Sequence, residues 1–207
     1  MSAPSLLYHL DPGSDAAAPP VLLLHGTGGN EHDLVSLGRS LAPGSTLLSP
    51  RGPVSEGGAA RFFARLAEGR FDPTEVEART HQLADFVAAA AAKHGLDLTR
   101  LIAVGFSNGA NVAATLLQLR PEILGGGALL LRPMVVLDRP ATAGSLTGRS
   151  VALLNGSRDP IVPLDHPPHL AALLEAGDAV VTSHLLPASH GLTAADLTIA
   201  ERFFARS

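Results

Sequence analysis

The chain contains no cysteine and no tryptophan, and aromatic residues make up only 4% of it. Without cysteine there are no disulfides and no thiolate metal sites, which excludes a stapled mini-scaffold or a zinc ribbon and leaves the redox compartment unmarked. With so few aromatics, the core has to come chiefly from Leu, Val and Ala, which the 46% hydrophobic content can supply. There is no long Lys/Arg run, and the formal charge is −4, which argues against nucleic acid or an anionic membrane as partner. No apolar run reaches the roughly 18 residues that span a bilayer, and residues 1–10 lack the basic and apolar segments of a signal peptide. A cytoplasmic location is the expectation. An H-E-x-x-H pair, a G-x-x-x-x-G-K-[ST] cradle and a G-x-G-x-x-G turn are all missing, so no metal, nucleotide or other cofactor is expected.

What is present is a regular alternation. At 207 residues the chain suits one α/β domain, 1–207, which should bury about 70% of its unfolded surface. Apolar runs near 21–25, 46–49, 101–106, 127–131, 150–154 and 179–186 read as strands, separated by helical stretches near 31–42, 74–94, 108–120, 165–176 and 193–205. That spacing predicts a mostly parallel sheet with helices on both faces. Residues 5–10 would add an antiparallel edge strand. Connections are short, with no insertion large enough for a lid, and only residues 51–71 have the length for a partial flap. Nothing fixes the oligomeric state, and a homodimer stays open.

Chemistry enters at Gly105-Phe106-Ser107-Asn108-Gly109, a G-x-S-x-G lying between the apolar run 101–104 and the helical stretch 110–119. A serine on so sharp a turn sits in strained backbone, costing about 1–3 kcal/mol, and needs residues without side chains two before and two after it. Gly105 and Gly109 meet that need. A serine hydroxyl is a poor nucleophile unless a base takes its proton, and the base needs an orienting acid. Asp159 follows the strand-like 150–154, with Pro160 stiffening its loop; the rival carboxylate, Asp165, reads as the N-cap of the next helix. His190 follows the strand-like 179–186, with Gly191 next to it, whereas His184 lies inside that strand. The order along the chain is therefore Ser107, Asp159, His190. A tetrahedral intermediate also needs two oxyanion donors, and the glycine-rich turn after residues 21–24 offers the Thr27 N–H beside that of Asn108. His25, before the serine, is expected to tie this loop by hydrogen bonds.

Phe62 and Phe63, in the partial flap, would line an acyl or aryl pocket or else pack in the core, and Met134 would join the same wall. Arg51 would clamp a substrate anion or, as the plainer expectation, pair with Glu31 or cap a helix.

Together, residues 25–31 with Asp33-Leu34, Pro50-Arg51-Gly52-Pro53, Arg61-Phe62-Phe63, residues 105–111, Arg132-Pro133-Met134, residues 159–163 and Ser189-His190 resemble the phospholipase/carboxylesterase family, in particular its small bacterial carboxylesterases, relatives of acyl-protein thioesterases. The likeness runs in order through nearly the whole chain. It implies an α/β-hydrolase fold and a cofactor-independent serine esterase acting on a small-molecule ester, with Ser107, Asp159 and His190 as its triad. Two alternatives accompany it: thioester or lysophospholipid hydrolysis at the same serine, and a ligand receptor with vestigial activity. One departure bears on specificity, since the thioesterase-like branch usually has Gln after the nucleophile where this chain has Asn108. Dienelactone hydrolases resemble this layout but use a cysteine nucleophile.

Overall fold

The short leucine-rich runs form the middle of a sheet. Residues 5–205 are described in the structure, a computed structural model; residues 1–4 and 206–207, the ends of the expected domain, lie outside them. In chain order the strands are Tyr8–Asp11 (β1), Val21–Leu24 (β2), Leu47–Pro50 (β3), Val54–Glu56 (β4), Ala59–Arg61 (β5), Ile102–Phe106 (β6), Gly127–Leu131 (β7), Ser150–Gly156 (β8) and Val180–Leu186 (β9). The helices are Val35–Leu41 (α1), Pro73–His94 (α2), Asn108–Leu119 (α3), His166–Glu175 (α4) and Ala194–Phe204 (α5). Seven strands form one sheet in the order β1-β3-β2-β6-β7-β8-β9, parallel throughout except for β1, which runs antiparallel to β3.

Every residue of β2 and β7 is buried, as strands covered on both faces must be. The two-residue period of a strand then sends side chains alternately into two cores. Leu22 and Leu24 pack with residues of α2 and α3 on one face, while Val21 and Leu23 pack with residues of α1 and α5 on the other. The α2 helix shows why a helix starts and stops where it does. Asp72 accepts the Thr74 N–H at 2.9 Å, Pro73 takes the first position, and Gly95 ends the helix with φ 68°. Among the described residues, no helix is long and apolar enough to cross a membrane.

Four local expectations shift. The edge strand lies at 8–11 rather than 5–10, because its register is set by pairing Tyr8 with Pro50 and Asp11 with Leu47. The helix expected from 31 begins at Val35; Asn30 Oδ1 accepts the His32 N–H at 2.8 Å, an Asx turn that competes with helix, and Glu31 is drawn toward Arg51. Asp165 stands at the N-cap position of α4, yet its side chain makes no capping bond. The partial flap also contains a hairpin that the periodicity did not signal: β4 and β5 pair antiparallel across Gly57-Gly58, both at positive φ, 58° and 87°.

Candidate active site

Ser107 is the turn residue between β6 and α3, with φ 52° and ψ −116°, a backbone region that residues with side chains rarely occupy. The flanking glycines make this turn possible. A Cβ on Gly105 would lie 2.5 Å from the Gly109 carbonyl oxygen, and one on Gly109 would run into the Leu24 carbonyl of β2. The loop after β8 delivers Asp159, whose side chain is fully buried. Its Oδ1 accepts the N–H groups of Ile161 at 2.8 Å and Val162 at 3.3 Å, which leaves Oδ2 to face His190 Nδ1 at 2.7 Å. On the other side of the ring, His190 Nε2 lies 2.9 Å from Ser107 Oγ. A carboxylate accepts only, so it selects the tautomer with the proton on Nδ1, and the Nε2 lone pair then faces the serine hydroxyl. Asp165 makes no bond to the imidazole.

Thr27 and Asn108 line the same cavity as Ser107 and His190. Among the described residues neither the Thr27 nor the Asn108 backbone N–H has a hydrogen-bond acceptor; that of Asn108 is one of the free donors of a helix's first turn. His25 is held in its neutral form by geometry, its Nδ1–H donating to the Gly26 carbonyl at 2.7 Å and its Nε2 accepting the Gly52 N–H at 2.9 Å. Burial depresses its pKa, in keeping with that role. Arg51 donates to both oxygens of Glu31, at 2.5 and 3.0 Å, and this pairing holds the Glu31 carboxyl below the usual range.

The cavity at Ser107 measures about 290 Å³, and its apolar walls are Phe71, Phe106, Met134 and Ile161. Phe62 and Phe63 do not reach it. They are 1% and 0% exposed, Phe62 tilted against the His25 ring and Phe63 edge-on to Phe71, so their place is the core. A second hollow of the same size, against β8, β9 and α5, shares no residue with this one.

Sequence reasoning gave no role to three residues at the site. Arg61, 4% exposed, stands in the cavity wall and donates to Thr27 Oγ1 at 2.7 Å. Arg132 and Asp196 form a fully buried bidentate pair at 2.7 and 2.8 Å. The same guanidinium donates to the carbonyls of Ser189 at 3.1 Å and Gly191 at 2.9 Å, the two neighbours of His190. Burial alone would raise the Asp196 pKa, but hydrogen bonds from Arg132 and Thr193 outweigh it and hold the carboxyl below its usual range. A signal for Asp196 existed in Thr193-x-x-Asp196, a capping-box spacing. Arg132 stands in one of the motifs that carry the family resemblance, but nothing local gives its role, because its partner lies 64 positions away.

The phospholipase/carboxylesterase family model matches residues 9–207. The chain is 43% identical over 173 residues to MhqD of Bacillus subtilis (strain 168), an alignment covering 84% of this chain and 86% of that one. Among solved structures it is similar to the Bacillus cereus carboxylesterase, with 39% identity, a TM-score of 0.93 and 97% and 94% of the two chains covered. A carboxylesterase from Mesorhizobium loti is 34% identical, with a TM-score of 0.88 and both chains covered in full. The chain, an α/β-hydrolase fold, belongs to the phospholipase/carboxylesterase family of hydrolases.

Proposed function

We propose that the chain is a serine carboxylesterase that cleaves small carboxylic esters through an acyl-enzyme. The observation that carries this reading is the continuous hydrogen-bonded run from Asp159 Oδ2 through His190 to Ser107 Oγ, with contacts of 2.7 and 2.9 Å. His190 Nε2 takes the proton as Ser107 Oγ attacks the ester carbonyl. The free N–H groups of Thr27 and Asn108 hold the oxyanion, where losing one donor costs about 100- to 1000-fold in turnover. His190 then returns the proton to the departing alkoxide, and a water activated by the same imidazole releases the acid. Asp159 keeps the ring in the productive tautomer and stabilises its charged form.

Substrate size follows from the walls. Each methylene that meets Phe71, Phe106, Met134 or Ile161 adds about 0.8 kcal/mol, so kcat/KM climbs over the first acyl carbons and stops where the wall ends. The best acyl chains are expected to have about two to six carbons, with monomeric esters preferred over emulsified ones. A p-nitrophenyl ester series, run beside matched thioesters, tests this. An optimum at about twelve carbons or more, or activation at an oil-water interface, would favour lysophospholipid hydrolysis instead, and faster thioester cleavage would favour a thioesterase. Tight ligand binding without turnover would mark a receptor.

A further inference from the structure

Three hydrogen bonds tie the β4–β5 hairpin to the residues that would hold an oxyanion. The Gly28 N–H donates to the Ala60 carbonyl at 2.9 Å, Arg61 Nη1 donates to Thr27 Oγ1 at 2.7 Å, and the Phe62 N–H donates to Asn108 Oδ1 at 2.7 Å. The three bonds engage consecutive residues, Ala60 and Arg61 of β5 and Phe62 just after it. Thr27 and Gly28 belong to the turn after β2, and Asn108 opens α3 after β6, so the two proposed oxyanion donors sit on separate elements whose preceding strands are joined by β2–β6 hydrogen bonding. The hairpin bridges them. It fits closely, since a Cβ on Gly52 would collide with the Arg61 carbonyl carbon and oxygen.

Arg61 is the centre of this bridge. Its Nε donates to the Phe63 carbonyl at 3.2 Å and lies 3.5 Å from Glu56 Oε2, with its own side chain only 5% exposed. Burial lowers the Arg61 pKa while the Glu56 carboxylate works against that, and a guanidinium stays charged regardless. A buried cation is costly to desolvate, and Thr27 Oγ1, the Phe63 carbonyl and the Glu56 carboxylate offset that cost while fixing the guanidinium in the cavity wall.

We propose that Arg61 is a positioning residue for the oxyanion hole: it fixes Thr27 through its side-chain oxygen, so that the Thr27 and Asn108 N–H groups converge on one point. This inference rests on the esterase reading given above. Arg61 need not touch the substrate to act, because a misplacement of about 1 Å in such a site can cost about 100-fold. Its loss should therefore appear in kcat rather than in KM.

The test is steady-state kinetics on one short p-nitrophenyl ester for the wild type, Arg61→Met, Arg61→Lys, Thr27→Val and the Arg61→Met/Thr27→Val pair. Thr27→Val removes the hydroxyl while keeping the shape, so it reads out the bond even if Arg61→Met folds poorly. The expected result is a fall in kcat of about 10- to 100-fold for Arg61→Met and for Thr27→Val, with KM changed by less than about threefold. Arg61→Lys should recover part of the loss, and the double variant should be no slower than the slower single one. Losses that multiply in the double variant, a rise in KM with kcat preserved, or a Thr27→Val enzyme as fast as wild type would overturn the positioning role. A wild type without esterase turnover would overturn the esterase reading itself, and this inference with it.

Discussion

At the scale of single residues, the geometry ranks the side chains by what their loss should do. Ser107→Ala or His190→Ala should each lower ester turnover by about 10⁶-fold, and the double change should be hardly worse, because nucleophile and base act as a unit. Asp159→Asn should cost about 10⁴-fold through the wrong histidine tautomer, while Asp165→Asn, at an N-cap without a capping bond, should leave turnover near wild type. Initial rates on a short p-nitrophenyl ester decide between the two carboxylates, and a larger loss at Asp165 would overturn the assignment. The phenylalanines separate in a different assay. Phe62→Ala empties a core position and should destabilise the fold by about 3–5 kcal/mol in urea melts, whereas Phe71→Ala should mainly move the acyl-length optimum upward. The sequence places both Phe62 and Phe63 on the flap, but they follow β5 in irregular backbone where no periodicity assigns a face, and both turn into the core. Their inward place rests on distant partners such as Asn108 Oδ1, which accepts the Phe62 N–H across 46 positions.

At the scale of elements, the parts with strong periodicity were legible and the parts held by distant partners were not. The seven strands of the main sheet and five helices follow from apolar runs with glycine and proline boundaries, and β7 matches its expected span, 127–131, to the residue. The β4–β5 hairpin escaped because its strands are only three residues long, although Glu56-Gly57-Gly58-Ala59 carries a two-glycine turn signal. The sequence reads His190 as a loop residue, yet what holds that loop comes from the end of β7 and from α5. Arg132, at φ 58°, ties the Ser189 and Gly191 carbonyls to Asp196. Arg132→Met should thus do two things. It leaves Asp196 charged and buried without its partner, at a cost of about 3–5 kcal/mol, and it loosens the His190 loop, so residual activity at a temperature well below unfolding should also fall. A thermal melt paired with a rate measurement at low temperature separates these effects, and a stable, fully active variant would contradict both.

At the scale of the whole molecule, three ionisable groups tie stability to pH in the same direction. His25, Glu31 and Asp196 each have a pKa lowered by folding. For such groups the unfolded chain binds protons more readily, so the stability they contribute is present above the unfolded pKa and lost as pH falls through the folded one. The His25 share should fade below about pH 6.5, and the carboxylate shares below about pH 4. Urea midpoints taken from pH 8 down to pH 3 should decline in those two windows, and His25→Asn should flatten the upper one. A midpoint that holds or rises on acidification through both windows would contradict the placement of these groups.

The central claim is that Ser107 is an activated nucleophile, with His190 as its base. The most direct measurement is reaction of the full chain with a fluorophosphonate, followed by peptide mass mapping. The expected result is one phosphonyl adduct per chain, on the Ser107 Oγ, formed in step with loss of ester turnover, absent in Ser107→Ala and slowed by orders of magnitude in His190→Ala. An adduct on another residue, or an inhibitor-resistant enzyme that still turns over ester, would contradict it.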